Sequence, residues 1–414
     1  MVDLMTTVGQ VAEIFDGPHA TPVKTDAGPF FLSISSLEKG RLDLSKSARV
    51  SEEDFKKWTK RVTPRKGDLL FSYETRLGEA ALMPDGVRAC LGRRMGLLRP
   101  RSGKVIPEYL LYAYLSPAFQ QRIVANTITG ATVDRIALNE MPKFPIRIPG
   151  IEKQKKVAGL LKDIDAKIDC NNRINAELEA MTKTLYDYWF VQFDFPDANG
   201  KPFKSSGGQM VFNPTLKREI PKGWCDSSVL AVADLLGGGT PTKKNPEFWG
   251  GDIPFFTPTD AGGAIFKFST ADYITEEGLK GSSTKRFGKH TVFITARGSV
   301  GRLVLAGVDM AMNQSCYALR PKPGISHVFL FFLAKELIHH LQVKSSGSVF
   351  DSIVSTDIEL TNLAIPTGEV IEKFAAAVEP AFEKIAINTR ANQQLSQLRD
   401  WLLPLLMNGQ VTAH

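Results

Sequence analysis

The stretch Lys167-Ile168-Asp169-Cys170-Asn171-Asn172-Arg173-Ile174-Asn175 returns 217 positions later as Lys384-Ile385-Ala386-Ile387-Asn388-Thr389-Arg390-Ala391-Asn392. The same shift aligns residues 130–190 with 347–407 without a gap. It matches Gly130, Asp134, Ile136, Ile148, Pro149, Glu152 and Lys156 to Gly347, Asp351, Ile353, Ile365, Pro366, Glu369 and Lys373, and Leu178 and Leu185 to Leu395 and Leu402. Earlier parts follow at shifts of 221 to 225: Pro29-Phe30-Phe31 falls on Pro254-Phe255-Phe256, Arg76 on Arg297, and Arg99-Pro100 with Gly103 on Arg320-Pro321 with Gly324. Solenoid repeats run about 20 to 50 residues, so a period this long is a duplicated domain. The chain is two copies of one unit.

Each copy reads as a strand-rich module followed by a long helix. In the first, Phe30 to Ile34, Asp68 to Tyr73 and Arg94 to Leu98 are short apolar runs bounded by Gly and Pro, and Pro107 to Gln121 has helical periodicity. The second repeats the plan with strands at Asp252 to Thr257, Thr291 to Thr295 and Ser315 to Leu319, and a helix at Ile325 to Gln342.

The helices that follow carry the strongest periodic signal. Val157, Leu161, Ile164, Ile168, Asn171, Asn175, Leu178, Thr182, Leu185 and Trp189 alternate spacings of four and three, as a coiled-coil seam does. The repeat supplies the partner seam: Phe374, Val378, Ala381, Ile385, Asn388, Asn392, Leu395, Arg399, Leu402 and Leu406. Antiparallel pairing brings the asparagines at the two centres together. There they either fix register, the usual return on a buried Asn, or mark where the pair opens for a partner helix. Pro380 predicts a break, with a short helix from Glu369 to Val378 and a long one from Pro380 to before Pro404. A helix of that length spans about 36 Å, near one turn of B-DNA.

Composition narrows the function. Across 414 residues, 43% hydrophobic and 23% charged, the usage is that of a folded globular protein with room for two or three domains. No apolar run approaches the roughly 20 residues of a membrane span, and the start of the chain carries Asp3 and no basic apolar leader, so a cytoplasmic location is expected. Cys90, Cys170, Cys225 and Cys316 lie at least 55 residues apart, which gives neither a CxxC pair nor a disulfide framework. His339 and His340 are adjacent, where helical metal ligands want a spacing of three or four, so no metal site is expected. Net charge is +7, and it is segmental. Residues 1–150 carry 22 basic against 16 acidic side chains and residues 201–367 carry 18 against 14, while residues 151–200 and 368–414 are slightly acidic. Two basic blocks joined by near-neutral segments suit a polyanion binder with two contact modules.

Enzymatic signatures are missing. Asn213-Pro214-Thr215-Leu216 and Asn245-Pro246-Glu247-Phe248 lack the second proline of an amino-methyltransferase loop. Gly288-Lys289 is followed by His290 without the spacing of a phosphate-binding loop, and Pro84-Asp85 lies 80 residues from Asp165-Ala166-Lys167, too far for a nuclease signature.

Tyr188-Trp189-Phe190-Val191-Gln192-Phe193-Asp194-Phe195-Pro196, then Ser206-Gly207-Gly208-Gln209-Met210 and Glu219-Ile220-Pro221-Lys222-Gly223-Trp224, resembles the central conserved region of type I restriction-modification specificity subunits (HsdS). Trp401-Leu402-Leu403-Pro404-Leu405-Leu406-Met407-Asn408-Gly409-Gln410 resembles the C-terminal conserved region of that family. Asp16-Gly17-Pro18-His19-Ala20-Thr21-Pro22 and Gly237-Gly238-Gly239-Thr240-Pro241 resemble the openings of two different types of target-recognition domain. The resemblance implies an α+β fold, with two repeated strand-rich target-recognition domains joined by two long helices that form an antiparallel coiled coil with pseudo-twofold symmetry. The implied division is residues 1–150 and 226–367 for the recognition domains, 151–192 and 368–414 for the conserved helices, and 193–225 for a linker.

By the same resemblance each recognition domain reads one half of a bipartite double-stranded DNA site, and the helices set the gap and dock two modification subunits. Restriction subunits complete the complex. S-adenosylmethionine, ATP and Mg belong to those partners, with no cofactor and no catalysis in this chain. A stand-alone DNA-binding regulator, a structural adaptor and, among enzymes, a methyltransferase are the alternatives. Titration against methyltransferase subunits, salt-sensitive sequence-selective binding and binding of S-adenosylmethionine discriminate among them.

Candidate DNA contacts come from side-chain chemistry and repeat position. Arg76, after Tyr73-Glu74-Thr75, and Arg297, after Thr295-Ala296, follow corresponding strands and can pair with guanine or phosphate, or close the turn onto a carboxylate, and Tyr73 and Thr295 at those strand ends are candidate DNA contacts with them. His19, Thr21, Lys24, Thr240, Thr242, Lys243 and Lys244 sit in polar Gly/Pro loops suited to DNA contact or simple solvation. Thr132 and Arg135, with Ser348 in the second copy, lie in turns before the final strand, where contact and turn chemistry compete. Arg93-Arg94 and Lys285-Arg286 are basic pairs for phosphates or for solvent. The aromatic run Tyr186 to Phe195 lies in an acidic segment and is expected to cover the helix end or a partner subunit instead of stacking on bases.

Overall fold

A computed structural model describes residues 4–18, 20–130, 133–344 and 351–412. His19, Thr132 and Ser348 lie outside the described residues. The chain forms two compact units, Met1–Ile168 with Gln394–His414, and Asp169–Gln393.

In the first unit an antiparallel sheet runs in the order Ala12–Asp16, Met95–Pro100, Leu69–Ser72, Ala80–Leu82. Leu69–Ser72 is buried at every position, as the unbroken apolar run of a central strand requires. A second sheet sets Thr25–Leu32 between Ala48–Arg49, antiparallel, and Ala89–Leu91, parallel. Leu4–Thr7 pairs with Pro145–Ile148 at the exit of the module. The helix expected over Pro107 to Gln121 is two helices, Pro107–Leu115 and Pro117–Ala125. Ser116 precedes a proline, which excludes it from helical backbone. It is extended at φ −62°, ψ 145°, and its hydroxyl caps the second helix at Phe119 N.

The second unit repeats this order with Ala233–Gly237, Cys316–Pro321, Val292–Thr295 and Leu303–Ala306, and adds Phe266–Lys267 at the edge. Trp249–Phe256 lies between Asp272–Ile274, antiparallel, and Ala311–Met312, parallel. Cys225–Ser227 pairs with Leu363–Ile365. The duplication therefore extends to strand order and polarity. Here the apolar helix, His327–Lys344, is unbroken.

The long helices are Ile151–Tyr186 and Gly368–Met407. The break expected at Pro380 does not occur. Proline inside a helix costs about 3 kcal/mol, whereas each fully buried large apolar side chain stabilises by roughly 1.5 to 3 kcal/mol. Phe374, Val378, Phe382 and Ile385 are all fully buried around Pro380, and the proline itself faces solvent, where water can satisfy the orphaned carbonyl. Pro404 is likewise inside the helix, followed by buried Leu406 and Met407 in the core of the first unit.

Within the second unit the helices pair antiparallel. Asn171 Nδ2 donates to Asn392 Oδ1 at 2.8 Å, Asn392 Nδ2 to Asn172 Oδ1 at 2.8 Å, and Asn388 Nδ2 to Asn175 Oδ1 at 2.9 Å. Ile385 is fully buried beside them and Leu178 packs against the same core. Within the first unit Leu161, Ile164 and Ile168 are buried, Leu395 is half-buried, and Arg399 donates to Asp165 at 2.8 Å. Tyr112 OH donates to the other oxygen of Asp165 at 2.7 Å, which ties the module helix to this pair.

The first long helix ends in a π-turn at Asp187–Val191. Tyr186, Trp189, Phe190, Phe193 and Phe195 pack with Trp224, Phe329 and Phe374 in the core of the second unit. The aromatic run thus covers the helix end inside its own unit.

Candidate nucleic-acid interface

In the second unit three loops meet at one turn, Asn313-Gln314-Ser315, which joins Ala311–Met312 to Cys316–Pro321. On one side Gly239 N donates to Met312 O at 3.1 Å, and the Thr240 hydroxyl donates to Gln314 Oε1. Gly238 permits this approach, because a Cβ there would lie 2.2 Å from Asn313 O. Thr284 Oγ1 also donates to Met312 O, at 2.7 Å, and places Lys285 next to it in the chain. On the other side Ala296 N and Arg297 N donate to Ser315 O at 2.8 and 3.2 Å. The result is a polar platform that presents Thr240, Gln314 and Arg297. Lys243 lies 5.9 Å from the Trp249 ring, whose Nε1 donates to Thr242 O, so the next stretch of the glycine-rich loop is anchored too.

The first unit builds the same platform from other side chains. Its turn is Gly92-Arg93-Arg94, between Ala89–Leu91 and Met95–Pro100. Gly17 passes so close that a Cβ would lie 2.5 Å from Gly92 O, and Tyr73 N donates to Arg94 O at 3.2 Å. Arg93 is exposed at the tip. Arg94 is held at 3.0 Å from Glu74, and Arg76 donates to Glu79 at 3.1 Å and to Ile34 O at 3.3 Å.

The backbone corrects one equivalence drawn from identity. Ser72 N bonds Glu79 O as Thr295 N bonds Arg302 O, and Ile136 N bonds Tyr73 O as Ile353 N bonds Ala296 O. This register is a shift of 223, not 221, so Arg297 corresponds to Glu74 and Arg76 to Ser299. The left-handed positions agree: Thr75 at φ 70° with Gly298 at 80°, and Gly78 at 85° with Gly301 at 79°. Tyr73 and Thr295 are also not outward contacts. Tyr73 is buried, which pushes its hydroxyl up to about 12, and Thr295 is fully buried with Oγ1 donating to Ser299 O and accepting from Arg302 N at 2.9 Å.

The other candidates divide by exposure and partner. Thr21, Lys24, Thr242, Lys244, Lys285 and Arg135 are exposed. Arg135 is beside the platform, since its backbone bridges Glu74, and in the second unit Ser352 bridges Arg297 in the same way. Arg286 is engaged with Glu276. Gln314 was not among the residues predicted from sequence. Its signal was the 221-residue shift that places it on Arg93, but a neutral amide does not stand out in a search for basic residues.

Among the described residues no group of three His, Cys, Asp or Glu side chains is placed to hold a metal, and no helix is long and apolar enough to cross a membrane. Burial pushes the Cys90 and Cys316 thiols up to about 12, which suits packing and not nucleophilic chemistry.

Residues 7–180 and 221–397 match the family described as the type I restriction modification DNA specificity domain. The chain is 23% identical over 401 residues to the type I restriction enzyme HindI specificity subunit of Haemophilus influenzae, covering 84% of this chain and 87% of that one. It is 26% identical over 371 residues to the type I restriction enzyme MjaIX specificity subunit of Methanocaldococcus jannaschii, covering 87% and 81%. In fold it is similar to the crystal structure of the type I restriction-modification system S subunit from M. genitalium, with a TM-score of 0.57 at 15% identity over 97% of this chain and 95% of that one. The two matched segments fall on the two copies of the repeat, and the chain belongs to the type I restriction-modification DNA specificity family.

Proposed function

We propose that this chain is the sequence-specificity subunit of a type I restriction-modification complex, acting by recognition and not by catalysis. The modules at residues 1–150 and 226–367 each read one half of a bipartite double-stranded DNA site. The conserved helices, 151–192 and 368–414, set the spacer and dock two modification subunits, with residues 193–225 as the linker. Restriction subunits complete the assembly, in the cytoplasm. S-adenosylmethionine, ATP and Mg act in the partner subunits.

The observation that carries this reading is one backbone platform built twice with different side chains: Arg93, Arg94, Glu74 and Arg76 in the first unit, and Gln314, Ser315, Arg297 and Ser299 in the second. A duplicated scaffold with diverged tips is what reading two unlike half-sites requires, since backbone-held loops position and side chains at base edges specify.

The test is adenine methylation mapped genome-wide by long-read sequencing in cells carrying this chain with its cognate modification subunit, against cells lacking the chain. Two short blocks around a fixed gap are expected. Absence of any new motif with the complex assembled would reject the specificity role in favour of a regulator or adaptor.

A further inference from the structure

We propose that Arg93 and Gln314 are the corresponding base-reading side chains of the two modules, Arg93 selecting guanine in one half-site and Gln314 selecting adenine in the other. This rests on the reading of the chain as a two-half-site specificity subunit and names where one base of each half is read.

Position is the first argument. Each of the two residues is the middle of a turn against which a glycine loop packs closely and to whose last residue a strand end is hydrogen-bonded. The Gly17 loop and the Tyr73 strand end frame Arg93, and the Gly238 loop and the Ala296 strand end frame Gln314. Both side chains are exposed while the residues that follow the turns, Met95 and Cys316, are buried. A tip braced on both sides is a rigid support for a side chain that must meet a base edge with hydrogen-bond precision.

Elimination within each platform is the second. In the first unit Arg94 is held by Glu74 and Arg76 by Glu79, whereas Arg93 has no ion-pair or hydrogen-bond partner among the described residues. In the second unit Arg297 is also exposed without a side-chain partner among the described residues, but it stands on the flanking strand end, at the position of Glu74, and Gln314 alone is the exposed side chain at the tip. Gln314 takes the Thr240 hydroxyl on Oε1, which orients the amide and leaves a lone pair and both N–H donors open.

Chemistry is the third. Arg is bidentate to guanine O6 and N7, and Gln to adenine N6 and N7, through two bonds each in the major groove. A shared backbone position occupied by these two residue types is a substitution that switches one base without moving the scaffold.

The experiment exchanges them in the complete complex, Arg93→Gln and Gln314→Arg, and maps methylation. The expected result for R93Q is one guanine of one half-site becoming adenine. For Q314R it is one adenine of the other half-site becoming guanine, with the spacer and the remaining half unchanged. Variants that methylate only the original motif overturn the inference. If an exchange variant is silent, R93A and Q314A decide by binding of the assembled complex to duplexes substituted one base at a time. Loss of about 10-fold to 100-fold discrimination at a single position supports the assignment, and discrimination unchanged at every position overturns it. A wild-type chain that directs no split motif overturns the underlying reading, whereas a normal wild-type motif unmoved by the variants overturns this inference alone.

Discussion

Thr295 and Arg297 stand two residues apart in one turn and do opposite work. The Thr295 hydroxyl closes the turn from inside, so T295V leaves the Arg302 amide and the Ser299 carbonyl short of a partner. It should lower stability by about 1 to 3 kcal/mol, read as a lower urea midpoint at constant slope. Arg297 is exposed without a side-chain partner among the described residues. R297A should hold the midpoint within about 0.5 kcal/mol, weaken DNA binding across sequences and flatten the salt dependence by about one ion. Sequence named both residues for the same role, because burial cannot be read from two polar letters in a loop. It also paired Arg297 with Arg76 on identity, whereas the left-handed positions at Gly78 and Gly301 decide the register. A different residue carries a pH response. His327 stacks on His290 at 3.9 Å, and burial, His290 and Lys289 press it from 6.5 down to about 4. A depressed histidine is neutral in the folded state while the unfolded chain takes up protons from about pH 6.5 downward. Stability should therefore be full above pH 6.5 and fall as pH drops toward 4, and H327F should flatten that slope in thermal melts.

At the scale of elements, the paired asparagines give the helix seam a register that leucines would not. N388L strands the buried Asn175 carbonyl and should cost about 1 to 3 kcal/mol. Combined with N175L it should recover that stability while adding species of other mass in sedimentation, because an apolar seam tolerates several alignments. A double variant that stays a single species would contradict the register role. Insertion of one heptad into both helices adds about 10 Å and should lengthen the methylated spacer by about three base pairs. An unchanged spacer would remove the helices as the ruler. The heptad pattern and the central asparagines were legible in sequence because spacing alone encodes them. The uninterrupted course through Pro380 was not, since it depends on how much of Phe374 and Phe382 is buried on the other faces of the same helix. The split at Ser116-Pro117 shows the reverse case, a proline that opens a new helix as its first residue, with Ser116 extended and its hydroxyl capping Phe119 N.

For the whole molecule, duplication was the most legible feature and it survives in detail, down to the parallel pairing of Phe30 with Ala89 and of Phe255 with Ala311. The platforms were only half legible, because they assemble from loops far apart in sequence and one tip residue is neutral. If recognition is modular, replacing residues 226–367 with the corresponding stretch of another family member should change one half-site and leave the other half and the spacer as they were, by methylation mapping. The path of the chain has a consequence for its synthesis. The first unit is assembled from Met1–Ile168 and Gln394–His414, and Leu406 and Met407 complete its core. At about 5 to 20 residues per second, a ribosome needs on the order of 10 to 45 seconds to translate Asp169–Gln393 in between. During that interval the nascent first unit waits with an apolar groove uncovered, and a chaperone has its opening there.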